Sequence, residues 1–292
     1  MAGKFQAQNE QKRSNRVWLI VLLLSLLLLA GAAIWYLATH VSLTPPLDPS
    51  DYHSVSPTSP KTPTVTQAEP LPSGETETTQ PAETTTEVPL VDNPVDFDAL
   101  AEVNSDVYAW LYIPMEPEKR DIDLPVLQSR PEDDDNYYLH RDIHRNYLYA
   151  GCLYTQKANH KDFSDRMTVI YGHNMLDGTM FSNLPCFQDP KFFETHEFFY
   201  IYTPGHILTY RIASAIQFDT RHLLNCFNFA DDRVFESWIQ SYILEPRTMI
   251  RNVREDIEVT VEDKIVVLST CLEHGASRYL IQGVLISDEL TY

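Results

Sequence analysis

Cysteine is scarce. Four residues in a chain of 292 fall far below the density of a scaffold stapled by disulfides, which excludes that class of fold. Basic charge is scarce as well: 22 Lys and Arg stand against 41 Asp and Glu, a formal net charge of −19. With no basic stripe to meet a phosphate backbone, a nucleic-acid binder is excluded. The surplus acid speaks for solubility rather than for a particular partner. There is no internal repeat, no glycine-rich phosphate loop and no Cys or His pair at zinc-finger spacing. Solenoid, nucleotide-phosphate and structural-zinc readings fall away, and no metal or cofactor is expected.

Apolar runs long enough to cross a bilayer are limited to one. From Val17 the chain reads VWLIVLLLSLLLLAGAAIWYL without a charge, and about twenty apolar residues span the ~30 Å of hydrocarbon. That is longer than the ~7–15 residues of a signal-peptide core. Lys4, Lys12, Arg13 and Arg16 precede it, and the next basic residue is Lys61. The positive-inside bias therefore predicts a cytoplasmic N-terminus and an extracellular remainder. Four segments follow: a cytoplasmic tail at 1–16, a transmembrane anchor at 17–38, a linker at 39–93 and a catalytic domain at 94–292. The linker is dominated by Pro, Thr, Ser and Glu and has nothing to bury, so disorder is expected. Its prolines make it an extended spacer that holds the domain away from the bilayer.

Within the domain, Asp96 is an N-cap candidate, and Phe97, Leu100, Val103 and Val107 at helical spacing predict a short helix. Short apolar runs at 124–128, 151–155 and 167–172 predict strands. FFYIY and ILTYRIASAIQF, separated by a turn through Pro204-Gly205, predict a hairpin. Val234, Phe235, Trp238, Ile239, Tyr242 and Ile243 make one apolar face of a helix over 231–244. KIVVLSTC and RYLIQGVLIS close the chain as two more strands. Many short strands with few helices mean a mainly β fold, a barrel or a sandwich.

Cys271 follows the strand 265–268 and opens a polar loop, where a rigid scaffold presents side chains to a cleft. A thiol with an ordinary pKa near 8.5 is only a few per cent thiolate at neutral pH, so it needs a base or a cation. His173 ends the strand TVIYGH and is a candidate base and acid. Arg278 heads the last strand seven positions after Cys271, where a fixed cation stabilises an oxyanion. Taken singly, each also reads as an ordinary packed or surface residue; the case lies in the triple.

TVIYGHNMLDGTMFSNL, the LSTC strand and the Arg after it resemble the motifs of sortases, class B in particular. The likeness extends through DFDALAEVNSDVYAWLYIP, DLPVLQ and NYYLH. It implies an eight-stranded β-barrel with an N-terminal helix and an inserted helix before the Cys strand. It implies a transpeptidase whose Cys271 attacks a Thr carbonyl in the C-terminal sorting motif of a secreted protein, with His173 protonating the leaving amine. Arg278 stabilises the intermediate, and a peptidoglycan amine then releases the thioacyl enzyme. The helix at 231–244 and the single membrane span favour class B over pilus-building class C, although some class B-like enzymes polymerise pilins. A wall-bound cysteine peptidase and a non-catalytic wall module are the competing readings. By resemblance, Ser269 and Thr270 contact the sorting peptide and Tyr138 and Leu139 line its groove; strand packing is the alternative for all four.

Several residues stand outside that pattern. Cys152 replaces an expected Ser or other small residue, and Cys152, Cys186 and Cys226 read as packed thiols, with a Cys186–Cys226 bridge as the alternative. His274 is a second imidazole near the nucleophile, read as a solvated loop residue. The run Glu132, Asp133, Asp134, Asp135 invites a calcium reading, and His140 with His144 invites a metal face. A solvated loop explains both.

Overall fold

The computed structural model describes residues 18–36, 90–117, 119–272 and 276–292. Helix α1, Trp18–Tyr36, has no buried residue and is long and apolar enough to cross a membrane. At 1.5 Å per residue its nineteen residues span about 28 Å. Residues 39–89 of the linker and His274 lie outside the described residues, and the chain resumes at Leu90.

Strand pleating sorts side chains between an inside and an outside. On β8, Ile265–Leu272, Val266 and Leu268 face one core, whereas Ile265 and Val267 face another. The first core also takes alternate residues of β1 (Val107–Ile113), β4 (Met167–Tyr171), β5 (Phe198–Thr203), β6 (His206–Phe218) and β9 (Ser277–Leu290). It is the interior of a barrel. β2 (Ile122–Gln128) and β3 (Leu153–Thr155) complete the wall. Around the wall the order is β5-β1-β2-β3-β4-β8-β9-β6, and pairing of β5 with β6 closes it at eight strands. A short β7, Arg251–Val253, adds to the free side of β6. Two pairs are parallel, β2 with β3 and β4 with β8. Closure leaves no long unpaired edge.

Helices pack on the outer face and, through Phe192 and Phe193, against the interior core. α2, Phe97–Val103, is capped by Asp96, whose carboxylate accepts the Ala99 N–H at 2.9 Å. It ends earlier than the spacing predicts. Asn104 turns extended and its side chain accepts the Asp106 N–H, so Val107 begins β1 instead of a further helical turn. α3, Pro190–Thr195, and α4, Leu223–Cys226, are short. The helix expected over 231–244 is α5, Asp232–Trp238, continued by a π-helical turn, Ile239–Leu244. Its apolar face packs on the outer face of β4, β6, β8 and β9. There the buried Gln282 accepts the Trp238 indole N–H at 2.9 Å and donates to the Tyr242 carbonyl at 2.6 Å. A buried amide paired on both sides fixes the position of the helix without leaving a desolvated group.

The β5–β6 hairpin turns at Pro204-Gly205, with Gly205 at φ +90°, a region open to glycine at little cost. Thr291, at the end of β9, pairs with Val91, and Asn93 donates to the Thr203 carbonyl at 2.9 Å. The ordered domain is thus pinned from Val91. β9 leads away from this corner, and its other end carries Arg278. All four cysteines are free, so the Cys186–Cys226 alternative does not apply.

Candidate active site

β8 and β9 are antiparallel with Cys271 directly opposite Arg278. Cross-strand partners share a face, and an Arg278 Nη1–H donates to the Cys271 sulfur in a short hydrogen bond. β4 runs parallel to β8, pairing Tyr171 with Ser269. Beyond that ladder, the Gly172 N–H donates to the Ser269 carbonyl at 3.2 Å and the Thr270 hydroxyl donates to the Gly172 carbonyl at 2.8 Å. His173 lies two residues beyond the end of β4, and continuing the same register carries it toward Cys271. Asn174 ties the two strand ends, its side-chain N–H donating to the Cys271 carbonyl at 3.0 Å. Cys271, His173 and Arg278 are all half-buried.

The hydrogen bond of His173 runs to the Leu139 carbonyl, from Nε2 at 3.0 Å. A carbonyl only accepts, so Nε2 carries the proton and Nδ1 keeps a lone pair. The ring packs against two others: His140, at 5.2 Å between centroids and 24° between planes, and Tyr149, at 5.3 Å and 21°. Burial, then the His140 ring, push its pKa down to about 4, with Arg278 acting the same way and the Leu139 bond opposing them. At neutral pH the imidazole is uncharged.

That shift fixes a sign. Above pH 6.5, the ordinary histidine value, the ring is neutral in folded and unfolded chains; between 6.5 and about 4 only the unfolded chain takes the proton, so stability falls with pH. His173→Gln is expected to shrink the loss of denaturant stability between pH 7 and 4.5. An identical loss in both proteins contradicts the assignment.

The expected groove residues divide. The Leu139 backbone is at the site, but Tyr138 is fully buried, its hydroxyl donating to Asp106 at 2.5 Å and accepting from Asn104 at 2.9 Å. It holds the loop from beneath and lines no groove. Ser269 and Thr270 are also buried, and the Thr270 hydroxyl is spent on Gly172. The calcium and metal readings of the acidic run and of His140 with His144 find no support either. Asp135 pairs with Lys157 at 3.5 Å, and no cluster of three or more His, Cys, Asp and Glu side chains forms among the described residues.

Sequence reasoning missed Tyr171 and Tyr154. Their rings stack at 5.5 Å, and Tyr171, the last residue of β4, stands two residues before His173. The Tyr171 hydroxyl is buried without a hydrogen-bond partner. The spacing Tyr-x-His at the end of a strand is the signal that places it there.

Gly151 holds the Leu139 carbonyl in place. It adopts φ +61°, and a Cβ built on it lies 2.3 Å from the Leu139 oxygen and 2.4 Å from the Tyr138 oxygen. Both are backbone atoms, which do not move aside cheaply. Gly151→Ala is expected to cost at least about 2 kcal/mol in chemical denaturation and to lower activity with it. A stability loss under about 0.5 kcal/mol contradicts this packing.

No family model matches the chain. Among curated proteins, sortase B of Listeria monocytogenes is 31% identical over 193 residues, covering 64% of this chain and 73% of the relative. The chain belongs to the sortase B family. It is a sortase transpeptidase, built on a cysteine and acting on a peptide substrate. Sortase B from B. anthracis superposes with a TM-score of 0.57 at 25% identity, over 69% of this chain and 90% of the other. A Staphylococcus aureus sortase B–substrate complex gives 0.56 at 23% identity, over 65% and 84%; at that identity it speaks for the sortase barrel alone.

Proposed function

We propose that this sortase is a membrane-anchored extracellular enzyme that joins secreted proteins bearing a C-terminal sorting signal to a cell-wall peptide amine. Cys271 is the nucleophile, His173 the acid and base, and Arg278 the oxyanion partner. The observation that carries the reading is the thiol–guanidinium hydrogen bond across β8 and β9, with His173 just past the end of the neighbouring β4. As the Cys271 sulfur attacks the scissile carbonyl carbon, the thiol proton passes to His173 Nδ1. The carbonyl π pair moves to oxygen and is held by Arg278. Collapse of the tetrahedral intermediate breaks the C–N bond, and the leaving nitrogen takes the proton from His173. The thioester that remains is attacked by an acceptor amine, which gives a proton back through His173. The thiol is regenerated and a new amide is formed.

Anchoring rests on α1, on the basic residues before it and on the geometry of β9. From Arg278 to Thr291, beside Val91, a strand of thirteen steps reaches up to about 43 Å. The linker thus enters the domain at the end of β9 opposite the one that carries Arg278. The test adds triglycine to enzyme and sorting peptide. A transpeptidase diverts product from the free acid to the triglycyl amide, whereas a peptidase yields acid alone and overturns the transfer step.

A further inference from the structure

Cysteine enzymes of the papain type orient the histidine with a polar side chain. Among the described residues the His173 ring bonds to no carboxylate; the ring's one hydrogen bond there goes to a backbone carbonyl, which leaves rotation about that bond to be fixed by something else. Two rings lie against it, and they lie against each other. His140 and Tyr149 stack at 5.3 Å and 23°, and a second tie joins them, His140 Nδ1–H to the Tyr149 carbonyl at 3.1 Å.

We propose that His140 is a positioning residue for His173, whose stacked ring fixes the plane of the catalytic imidazole and so the aim of Nδ1 at the Cys271 sulfur.

The proposal rests on the catalytic reading of Cys271 and His173. Its support is the way residues 136–151 are anchored. Tyr138, next but one to His140, is buried, and its hydroxyl meets Asp106. Asp106 is itself buried and paired with Arg145 and Arg130. Between those anchors the chain makes a single 3-10 turn, Tyr137–His140. Leu139 then presents its carbonyl to His173 Nε2, while His140 presents its ring to the imidazole face. Among the described residues the ionisable rings that face His140 are those of His173, Tyr147 and Tyr149. A hydrogen bond along one axis and a ring against one face together fix an imidazole plane. Angular error at an acid–base group costs rate rather than affinity.

His140→Ala is therefore expected to lower kcat about tenfold with KM within twofold, and His140→Phe, which keeps a flat ring without ionisation, to restore most of it. Where the Ala variant loses its fold on a thermal melt, His140→Leu keeps the volume without the ring and must show the same kcat loss. Leu and Phe variants with equal kcat, or a loss that appears in KM alone, overturn the proposal. Cys271→Ala in the same assay separates the two readings: if it still turns over, the catalytic assignment fails. If it is dead while all His140 variants run at the parent rate, only the positioning role fails.

Discussion

Cys271→Ala is expected to lower turnover of a sorting peptide by at least about 10³-fold, or more than about 4 kcal/mol of transition-state stabilisation. The variant loses the sulfur proposed to form the thioester, while the fold loses little, because the side chain is half-exposed at a strand end. Peptide binding should persist, so the loss appears in kcat. Two other thiols serve as controls. Burial raises the Cys152 thiol, which disfavours its thiolate, and Cys226 is exposed on α4, a helix remote in sequence from β8. Ala at either position should leave turnover within about twofold. Activity that survives in Cys271→Ala and disappears in Cys152→Ala would move the nucleophile to another strand.

Arg278 carries the second large effect. Its guanidinium bonds to the thiol sulfur of its cross-strand partner, and the oxygen of a tetrahedral intermediate on that sulfur develops its charge next to the same cation. Loss of one such donor costs about 10²–10³ in kcat, and Arg278→Ala is expected to fall in that range. Arg278→Lys should recover only part, because an ammonium is a compact charge on a flexible stem and lacks the rigid planar fork that meets sulfur and oxyanion in a fixed geometry. Residue 278 is half-buried at the head of β9, so a melting temperature for each variant separates chemistry from folding. Arg278→Ala within about threefold of the parent rate would reduce Arg278 to a strand-end charge.

Much of this arrangement was legible in the chain. Two apolar strands with a short polar connection made a hairpin, and a spacing of seven between Cys271 and Arg278 made them candidates to face each other. The Pro204-Gly205 turn and the Asp96 cap are local signals and fell where the residues indicate. Errors arose where local and non-local terms compete. Val107 fits the apolar stripe of α2, but Asn104 offers its side chain to the Asp106 N–H and the helix stops. Tyr138 and Leu139 are neighbours that a groove reading treats alike; the 3-10 turn sends one side chain into the core and leaves the other's carbonyl at the site. The contact of His140 with His173 spans 33 positions and has no periodicity to announce it. The parallel pairing of β4 with β8, which brings His173 to Cys271, is set by barrel closure and not by either segment alone.

The central claim is that Cys271 carries the acyl group between the two substrates. Its most direct test is intact-mass analysis of the enzyme mixed with a sorting peptide and quenched in acid within the first turnovers, followed by peptide mapping. The account predicts an adduct equal to the N-terminal acyl fragment, on the peptide containing Cys271, that disappears when triglycine is added as the triglycyl amide appears. An adduct mapped to another residue, or continued cleavage with an amide product and no adduct on Cys271 even when the acceptor is withheld, would contradict it.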